Sequence, residues 1–130
     1  MSKISVLIRS RNEEMWIGHC IQSIIDNLEN TEIIVLDNNS SDKTLEITRS
    51  FIHDKTLKNT RKKSFTDIKI AKVNDYTPGK SLNFGVKKCK NENIMVISAH
   101  CVISKINFKK IITELKKNVC VFGNQLPVFF

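Results

Sequence analysis

The stretch Glu32 to Thr44 changes character at Asp37, and this change constrains the fold more than any other feature of the chain. The residues just before Asp37 are aliphatic, which is typical of a strand buried on both faces. The residues after it, Asn38 to Asp42, are small and polar and suit a turn that leads into a helix. We therefore expect Asp37 at the carboxyl end of a strand, where open parallel sheets bind their ligands.

Apolar runs and helical stripes alternate along the rest of the chain. Strands are predicted at residues 3–8, 32–37, 67–73, 93–97 and 119–122. The stripes between them predict four helices, the second of them with Ser41 as its N-cap. Short connections and right-handed crossovers turn this order into an α/β fold, a mostly parallel sheet flanked by helices on both faces. We expect one domain over residues 1–130, and the apolar end Leu126 to Phe130 suggests a truncated one.

The composition excludes several classes of protein. The 130 residues are 41% hydrophobic, which is enough for one globular core. No apolar run approaches the roughly 20 residues of a membrane helix, and the start is too short for a signal peptide, so we expect a cytoplasmic protein. The four cysteines are scattered without a Cys-x-x-Cys pair, which argues against a zinc site and a disulfide framework. The net charge of +8 is consistent with binding to nucleic acid, acidic lipid or a phosphorylated small molecule. Charge alone does not distinguish among these three kinds of partner.

Polar residues follow each of the first four predicted strands, and a parallel sheet brings them to one edge. They are Arg9 to Glu13, Asp37 to Asn39, Asp75 to Lys80 and Ser98 to His100. Carboxylates there can accept hydrogen bonds from a ribose or a base, and Arg9, Arg11 and Lys80 can meet phosphate. This arrangement predicts a nucleotide site. Taken singly, Glu13 and Asp37 are equally consistent with caps of the helices that follow them.

The motifs of three common nucleotide-binding and phosphate-binding classes are missing. No Gly-x-Gly-x-x-Gly follows the first strand, which disfavours a dinucleotide enzyme. Gly79-Lys80-Ser81 lacks the glycine five positions earlier that a phosphate-binding loop requires. A response-regulator receiver carries its aspartate after the third strand, whereas Asp37 follows the second.

Four motifs occur in order along nearly the whole chain. They are Ser5 to Glu13, Ile34 to Thr44, Tyr76 to Gly85, and the pair Ser98 to His100 with Phe122 to Pro127. Together they resemble the amino-terminal half of family 2 glycosyltransferases, which have the GT-A nucleotide-sugar fold. The second motif is the specific one, since it is similar to the family's Val-Asp-Asp/Asn-x-Ser-x-Asp-x-Thr signature. The last two are similar to a rhamnosyltransferase-like subset.

The resemblance implies roles for several residues. The nucleotide-binding residues it implies, together with the cationic groups at the same edge, are Arg9, Arg11, Glu13, Asp37, Asn39 and Lys80. Glu13 would bind the ribose or base of the donor, Asp37 the N–H of a pyrimidine ring, and Lys80 the base or the diphosphate.

Ser98-Ala99-His100 stands where the family usually has a metal-binding Asp-x-Asp. Without those carboxylates Mg²⁺ binding weakens, which leaves His100 as the one candidate ligand for Mn²⁺ or Mg²⁺, or leaves no metal at all. The alternative is that His100 only forms hydrogen bonds near the sheet edge.

The resulting hypothesis is a donor-binding domain that holds a nucleotide-diphospho-sugar for inverting transfer to a glycan or lipid-linked acceptor. The acceptor half and the catalytic base are expected to lie outside this chain, and the catalytic residues are unknown. Asp54, Asp67 and Glu92 are predicted to lie away from the crevice, and Glu114 on a helix face. The alternative is a non-catalytic nucleotide-binding or interaction module derived from a transferase.

The basic stretch from Lys55 to Lys63 has no interleaved aromatic residues, so nucleic acid is not expected as a partner. The same stretch leaves peripheral contact with the inner face of a membrane open, beside the simpler interpretation of a solvated charge run. A homodimer also stays open, because truncation would expose apolar surface.

Overall fold

The computed structural model of the protein describes residues 3–53 and 66–128. Four strands and four helices alternate in this part of the chain. They are β1 (Ile4–Ser10), α1 (Ile17–Asn27), β2 (Thr31–Asp37), α2 (Thr44–His53), β3 (Asp67–Lys72), α3 (Pro78–Lys88), β4 (Asn93–Ser98) and α4 (Phe108–Leu115). The predicted α/β alternation is confirmed for these eight elements.

The predicted fifth strand is wrong. Residues 119–122 form no strand, although their alternating valines have the right pattern. Val119 and Phe122 are almost fully exposed, at 103% and 90%, so within residues 3–53 and 66–128 the segment has neither a partner strand nor a core to pack against. A strand is stable only when its backbone groups are paired in a sheet.

The sheet has the order β3-β2-β1-β4, and its three strand pairings are all parallel. The chain runs outward from β1 through β2 to β3, and then returns to place β4 on the other side of β1. The strand order therefore reverses between β1 and β4. Open α/β sheets bind their ligands outside the carboxyl ends of the strands at such a reversal.

Helices cover both faces of the sheet. One core contains Val6, Ile8 and Ile33 of the sheet and Ile21 of α1, with parts of α2 and α4 packed against it. A second, smaller core on the other face is formed by four side chains and lies under α3. Its members are Leu7, Ile34, Leu36 and Val73. Because β1 and β2 are buried on both faces, their sequences are nearly continuous aliphatic runs.

The helix α3 approaches this smaller core closely at Gly85. A Cβ atom at this position would lie 2.8 Å from Leu36 Cδ1 and 3.1 Å from Leu7 Cδ1. A larger residue at this position would force the packed side chains of Leu36 and Leu7 to shift, so glycine lets the helix lie at this distance. The first turn of α3 lies at the carboxyl edge of the sheet and is capped by Thr77, whose side chain accepts a hydrogen bond from Lys80 N.

The start of α2 differs from the prediction. Ser41 lies three residues before the helix, and its N–H donates to Asn12 Oδ1 at 2.8 Å. The Thr44 N–H donates instead to Asp42 Oδ1, at 2.9 Å. Ser41 is therefore engaged by the neighbouring loop, and Asp42 takes the capping role. None of the helices in the described part of the chain is long and apolar enough to span a bilayer.

Candidate functional site

Two loops at the carboxyl edge of the sheet are joined by hydrogen bonds. They are the β1–α1 loop, residues 11–16, and the β2–α2 loop, residues 38–43. Asn12 donates its N–H to Ser40 Oγ at 2.9 Å, and its side-chain oxygen accepts from Ser41 N. Asn12 has a positive φ of 50°, a conformation that asparagine tolerates better than most residues. The loops that carry the predicted site therefore hold each other in place.

A second set of bonds continues this connection towards α1. Glu13 N–H donates to Thr44 Oγ1 at 2.8 Å, and Glu14 N–H donates to Asp42 Oδ2 at 3.1 Å. Lys43 N–H returns a bond to Glu14 Oε2 at 3.0 Å. Burial alone would raise the pKa of Asp42, but hydrogen bonds from Thr44 and the Glu14 N–H lower it. Thr44 therefore supports the backbone of Glu13 and Asp42 that of Glu14, roles that the sequence reasoning missed.

Asp37 is the last residue of β2 and is only 1% exposed. Its Oδ2 accepts a hydrogen bond from Ser40 N at 3.1 Å, while its Oδ1 is buried without a partner among the described residues. Ser10 Oγ and Arg9 Nε are unpartnered within the same residues. The register sets Ser10 directly beside Asp37. Unsatisfied buried polar atoms are rare, and here three of them gather at one sheet edge.

Glu13 and His100 meet across the reversal of strand order. His100 Nδ1 lies 3.1 Å from Glu13 Oε1, although the two residues are 87 positions apart in sequence. The His100 side chain is 61% exposed and that of Glu13 is 25% exposed, so the pair borders the open crevice. Arg9, near the carboxyl end of β1, has its Nη2 3.5 Å from Ser98 Oγ at the end of β4. The topology thus brings together four predicted site residues, Arg9, Glu13, Asp37 and His100.

The other predicted residues lie further out. Lys80 follows β3, on the far side of β2, and its Nζ lies 3.1 Å from Asp75 Oδ2. Both of these side chains are largely exposed, and the pair is open to solvent. Arg11 and Asn39 are exposed on the two joined loops. Among the described residues, Lys80 Nζ is thus paired with Asp75 and not with another predicted site residue.

A divalent metal does not fit the described residues on their own. No group of three His, Cys, Asp or Glu side chains that could hold a metal ion occurs in residues 3–53 and 66–128. Glu13 and His100 offer one carboxylate and one imidazole, and these are already joined to each other. A hard cation such as Mg²⁺ needs more oxygen ligands than this pair supplies. The metal role of His100 stays a prediction.

The remaining acidic candidates lie where the sequence predicted, or outside the described residues. Asp67 begins β3 at the opposite edge of the sheet, where it pairs with Lys69 and Lys90. Glu92 directly precedes β4 at that same edge. Asp54 and the basic stretch from Lys55 to Lys63 lie outside the described residues.

Comparison with known families settles the class of the protein. The sequence model described as Glycosyl transferase family 2 matches residues 5–129. The chain belongs to glycosyl transferase family 2. The similarity to the rhamnosyltransferase-like subset stays a prediction, since the relatives described below carry other names.

Two curated relatives show how much of a longer protein the chain represents. A dolichyl N-acetyl-α-D-glucosaminyl phosphate 3-β-D-2,3-diacetamido-2,3-dideoxy-β-D-glucuronosyltransferase from Methanococcus voltae is 28% identical over 103 residues, which cover 77% of this chain and 30% of the relative. A 4,4'-diaponeurosporenoate glycosyltransferase from Staphylococcus aureus is 38% identical over 48 residues, or 37% of this chain and 13% of the relative. The chain spans about a third or less of these two relatives.

Solved structures confirm the GT-A fold. S. aureus TarS 1-349 in complex with UDP-GlcNAc aligns with a TM-score of 0.69 and 22% identity, over 97% of this chain and 37% of that one. The mannosyltransferase PcManGT from Pyrobaculum calidifontis, in complex with GDP-Man and Mn²⁺, gives a TM-score of 0.66 at 15% identity, over 78% of this chain and 28% of that one. At these identities the likeness concerns the fold, which matches the predicted fold class.

Proposed function

We propose that this family 2 chain binds a nucleotide-diphospho-sugar donor at the carboxyl ends of β1, β2 and β4. The observation that carries this proposal is the Oδ1 of Asp37, which is buried and has no partner among the described residues. Its other oxygen is fixed by Ser40 N–H, so the carboxylate is held in place with one acceptor free. Leaving a buried acceptor unsatisfied costs about 1–3 kcal/mol, which a ring N–H of a bound base recovers.

The base, ribose and phosphates have distinct partners in this proposal. Asp37 accepts the ring N–H of a pyrimidine, and Glu13 accepts a ribose hydroxyl or a base N–H at the crevice. The diphosphate lies near Arg9 and the exposed ring of His100, at the reversal between β1 and β4. Arg11 and Asn39 reach the nucleotide from the two joined loops. Lys80 contributes from the side of β3 and leaves Asp75 to do so.

A divalent ion is not assigned a ligand set in this proposal. The Mn²⁺ in PcManGT belongs to that protein. In this chain the cationic groups Arg9 and His100 stand near the expected diphosphate, where positive side chains can offset its charge. A metal that bound with the donor would supply further charge neutralisation there.

Transfer of the sugar is proposed for the larger protein type that the chain represents. Inverting transfer needs a general base that deprotonates the acceptor hydroxyl. We assign no base within this chain, because Asp37 is buried and Glu13 is hydrogen-bonded to His100. The name of the Methanococcus voltae relative mentions a dolichyl N-acetyl-α-D-glucosaminyl phosphate, which supports a lipid-linked or glycan acceptor. A cytoplasmic location, at or near the inner face of a membrane, belongs to the same proposal.

The second candidate is a nucleotide-binding module without transfer activity. It is favoured by the Glu13–His100 hydrogen bond, which engages the Glu13 carboxylate at the crevice. The two candidates share donor binding and differ in turnover. Incubating the chain with a radiolabelled donor and measuring both hydrolysis and transfer separates them, because the module leaves the donor intact.

The donor site is tested by the melting temperature of the chain with uridine, thymidine and guanosine diphosphates, each with and without Mn²⁺. A ligand at 100 times its dissociation constant stabilises the folded state by about 2.7 kcal/mol. We expect this increase with at least one pyrimidine nucleotide, and its loss in Asp37→Asn, whose amide presents a donor to the ring N–H. The exposed α2 variant Glu46→Gln is the matched control. The proposal fails if no nucleotide stabilises the chain, or if Asp37→Asn responds like the wild type.

A further inference from the structure

We propose that the face formed by α3 and β3 docks on an anionic lipid bilayer. This face is defined by Lys72 of β3 and by Phe84, Lys87 and Lys88 of α3. The helix α3 covers the side of the sheet opposite α1, α2 and α4, and Lys72 belongs to the edge strand β3 beside it. All four residues are distinct from the basic stretch 55–63. The proposal goes beyond donor binding, since Phe84, Lys87 and Lys88 lie outside the proposed nucleotide site, while Lys72 pairs in register with Asp37.

The first observation is the unbalanced charge of α3. Its sequence, Pro78 to Lys88, contains three lysines and no acidic residue. Lys80 is balanced by Asp75, but Lys72, Lys87 and Lys88 have no acidic partner within residues 3–53 and 66–128. All three are exposed. A patch of unpaired lysines attracts an anionic surface. The desolvation cost of such contact is small for the aliphatic part of each lysine side chain, because the ammonium group can stay hydrated.

The second observation is an aromatic ring within this charge. Phe84 is 36% exposed, and Lys88 Nζ lies 5.2 Å from the centre of its ring. On a helix, residues four apart share one side, so Lys80, Phe84 and Lys88 form a single ridge. An exposed Phe flanked by lysines is typical of helices that lie in the interface of a bilayer.

The third observation is the shape beside this ridge. An open groove of about 330 Å³ runs between α3 and β3, and its walls combine apolar atoms with lysines. Its apolar lining comes from Ile34, Ile70, Ala71 and Phe84, and its basic lining from Lys69, Lys72 and Lys88. Lys69 is held by Glu32 and Asp67. Lys72 and Lys88 are therefore available to contact a lipid phosphate, while the groove accommodates the apolar part of the lipid.

The occupant is chosen by charge complementarity. A protein partner of ordinary composition has isolated acidic side chains on its surface. An anionic bilayer presents a continuous negative surface that can contact the whole ridge. Nucleic acid would also meet the lysines, but Phe84 stands alone without the further aromatics of a base-stacking platform. The observations therefore favour the lipid surface.

The test is co-sedimentation of the chain with vesicles of phosphatidylcholine, with and without phosphatidylglycerol. We expect binding only to the anionic vesicles. The triple variant Lys72→Gln, Lys87→Gln and Lys88→Gln should partition about a hundredfold more weakly, at a factor of about five per lysine. Phe84→Ala should weaken partitioning about tenfold while leaving its salt dependence unchanged.

The matched control removes the same charge from the other side of the sheet. Lys109→Gln, Lys110→Gln and Lys116→Gln lie on or next to α4, where the lysines are equally exposed. The control should bind anionic vesicles at least tenfold more tightly than the α3–β3 triple variant. Equal losses in the two triple variants would overturn the proposal, since they would show attraction by net charge alone.

Two further measurements complete the test. Hydrogen exchange of the wild-type chain with anionic vesicles should protect α3 and β3 more than α4, and this result does not depend on the folding of any variant. Uniform protection, or none, would overturn the proposal. So would a triple variant that keeps its vesicle binding but loses binding to a single-stranded RNA, because the face would then belong to nucleic acid.

Discussion

Replacing Glu32 by glutamine should destabilise the protein far more than its conservative chemistry suggests. Glu32 is 4% exposed and lies in β2 at the edge opposite the candidate site. Its carboxylate accepts from Ser5 Oγ at 2.6 Å, from Lys90 N–H at 2.8 Å and from Lys69 Nζ at 3.4 Å. These bonds join β1, β2, β3 and the loop before β4.

The expected cost follows from the number of donors. An amide has one acceptor oxygen, so its NH₂ group must face at least one of the three donors, and the charge opposite Lys69 is lost. Hydrogen bonds to charged groups contribute about 1.5–3 kcal/mol each, so we expect a loss of about 2–3 kcal/mol. With a urea slope of about 2 kcal/mol per molar, the midpoint of unfolding should fall by about 1 M or slightly more.

The pH dependence gives the sharper assay. Burial alone would raise the pKa of Glu32, but hydrogen bonds from Lys90, Ser5 and Lys69 bring it below its ordinary value of 4.5. The stabilisation is therefore complete above this value and is lost as the pH falls through the lower pKa of the folded state. The difference between wild type and Glu32→Gln should accordingly shrink in acid. Urea unfolding between neutral and acidic pH measures it.

The control for this experiment is Glu92→Gln, an exposed residue just before β4. It should stay within about 0.5 kcal/mol of wild type. The reasoning is refuted if Glu32→Gln is as stable as Glu92→Gln at neutral pH, or if its deficit persists unchanged in acid.

Two other substitutions probe the packing of α3 and the junction of the loops. Gly85→Ala sets a Cβ atom 2.8 Å from Leu36 and should lower the free energy of unfolding, measured in urea, by about 1–3 kcal/mol. The control Gly79→Ala meets nothing within 4 Å and should be close to neutral. Equal stability of the two variants would contradict the packing argument. Thr44→Val removes the acceptor of the Glu13 N–H and should destabilise the protein by about 1–2 kcal/mol and weaken its stabilisation by nucleotide. Thr44→Ser keeps the acceptor and should retain the stability and the nucleotide response. A valine variant that behaves like the serine variant would show that the loops do not depend on this bond.

The strands and their polar ends were predictable because burial leaves a direct mark on the sequence. The aliphatic runs of β1 and β2 and the sharp change at Asp37 located the sheet and its carboxyl edge. The same signal failed at Val119 to Phe122, where a short apolar run has no neighbouring strand within the described residues. Periodicity reports what a segment could bury, whereas a strand also requires a partner.

The way in which distant residues come together in the candidate site was harder to predict from the sequence. The proximity of Glu13 and His100 depends on β4 pairing with β1 rather than with β3, and no local pattern specifies that order. The bonds from Asp42 and Thr44 to the neighbouring loop are likewise contacts between distant segments, at separations of 28 and 31 residues. The role of Glu32 was predictable, because a single acidic residue at the start of a buried aliphatic strand requires buried hydrogen-bond partners.

The placement of β4 beside β1 also bears on how the chain survives in a cell. The Glu13–His100 contact closes a loop of 87 residues, so it exists only after the first and last strands of the described sheet have paired. A donor that touches both residues can therefore bind only chains that have completed this step. By mass action, an abundant donor would hold molecules in that state and shield them from proteases, and scarcity would expose them. The supply of activated sugar would then set the lifetime of the protein as well as its occupancy.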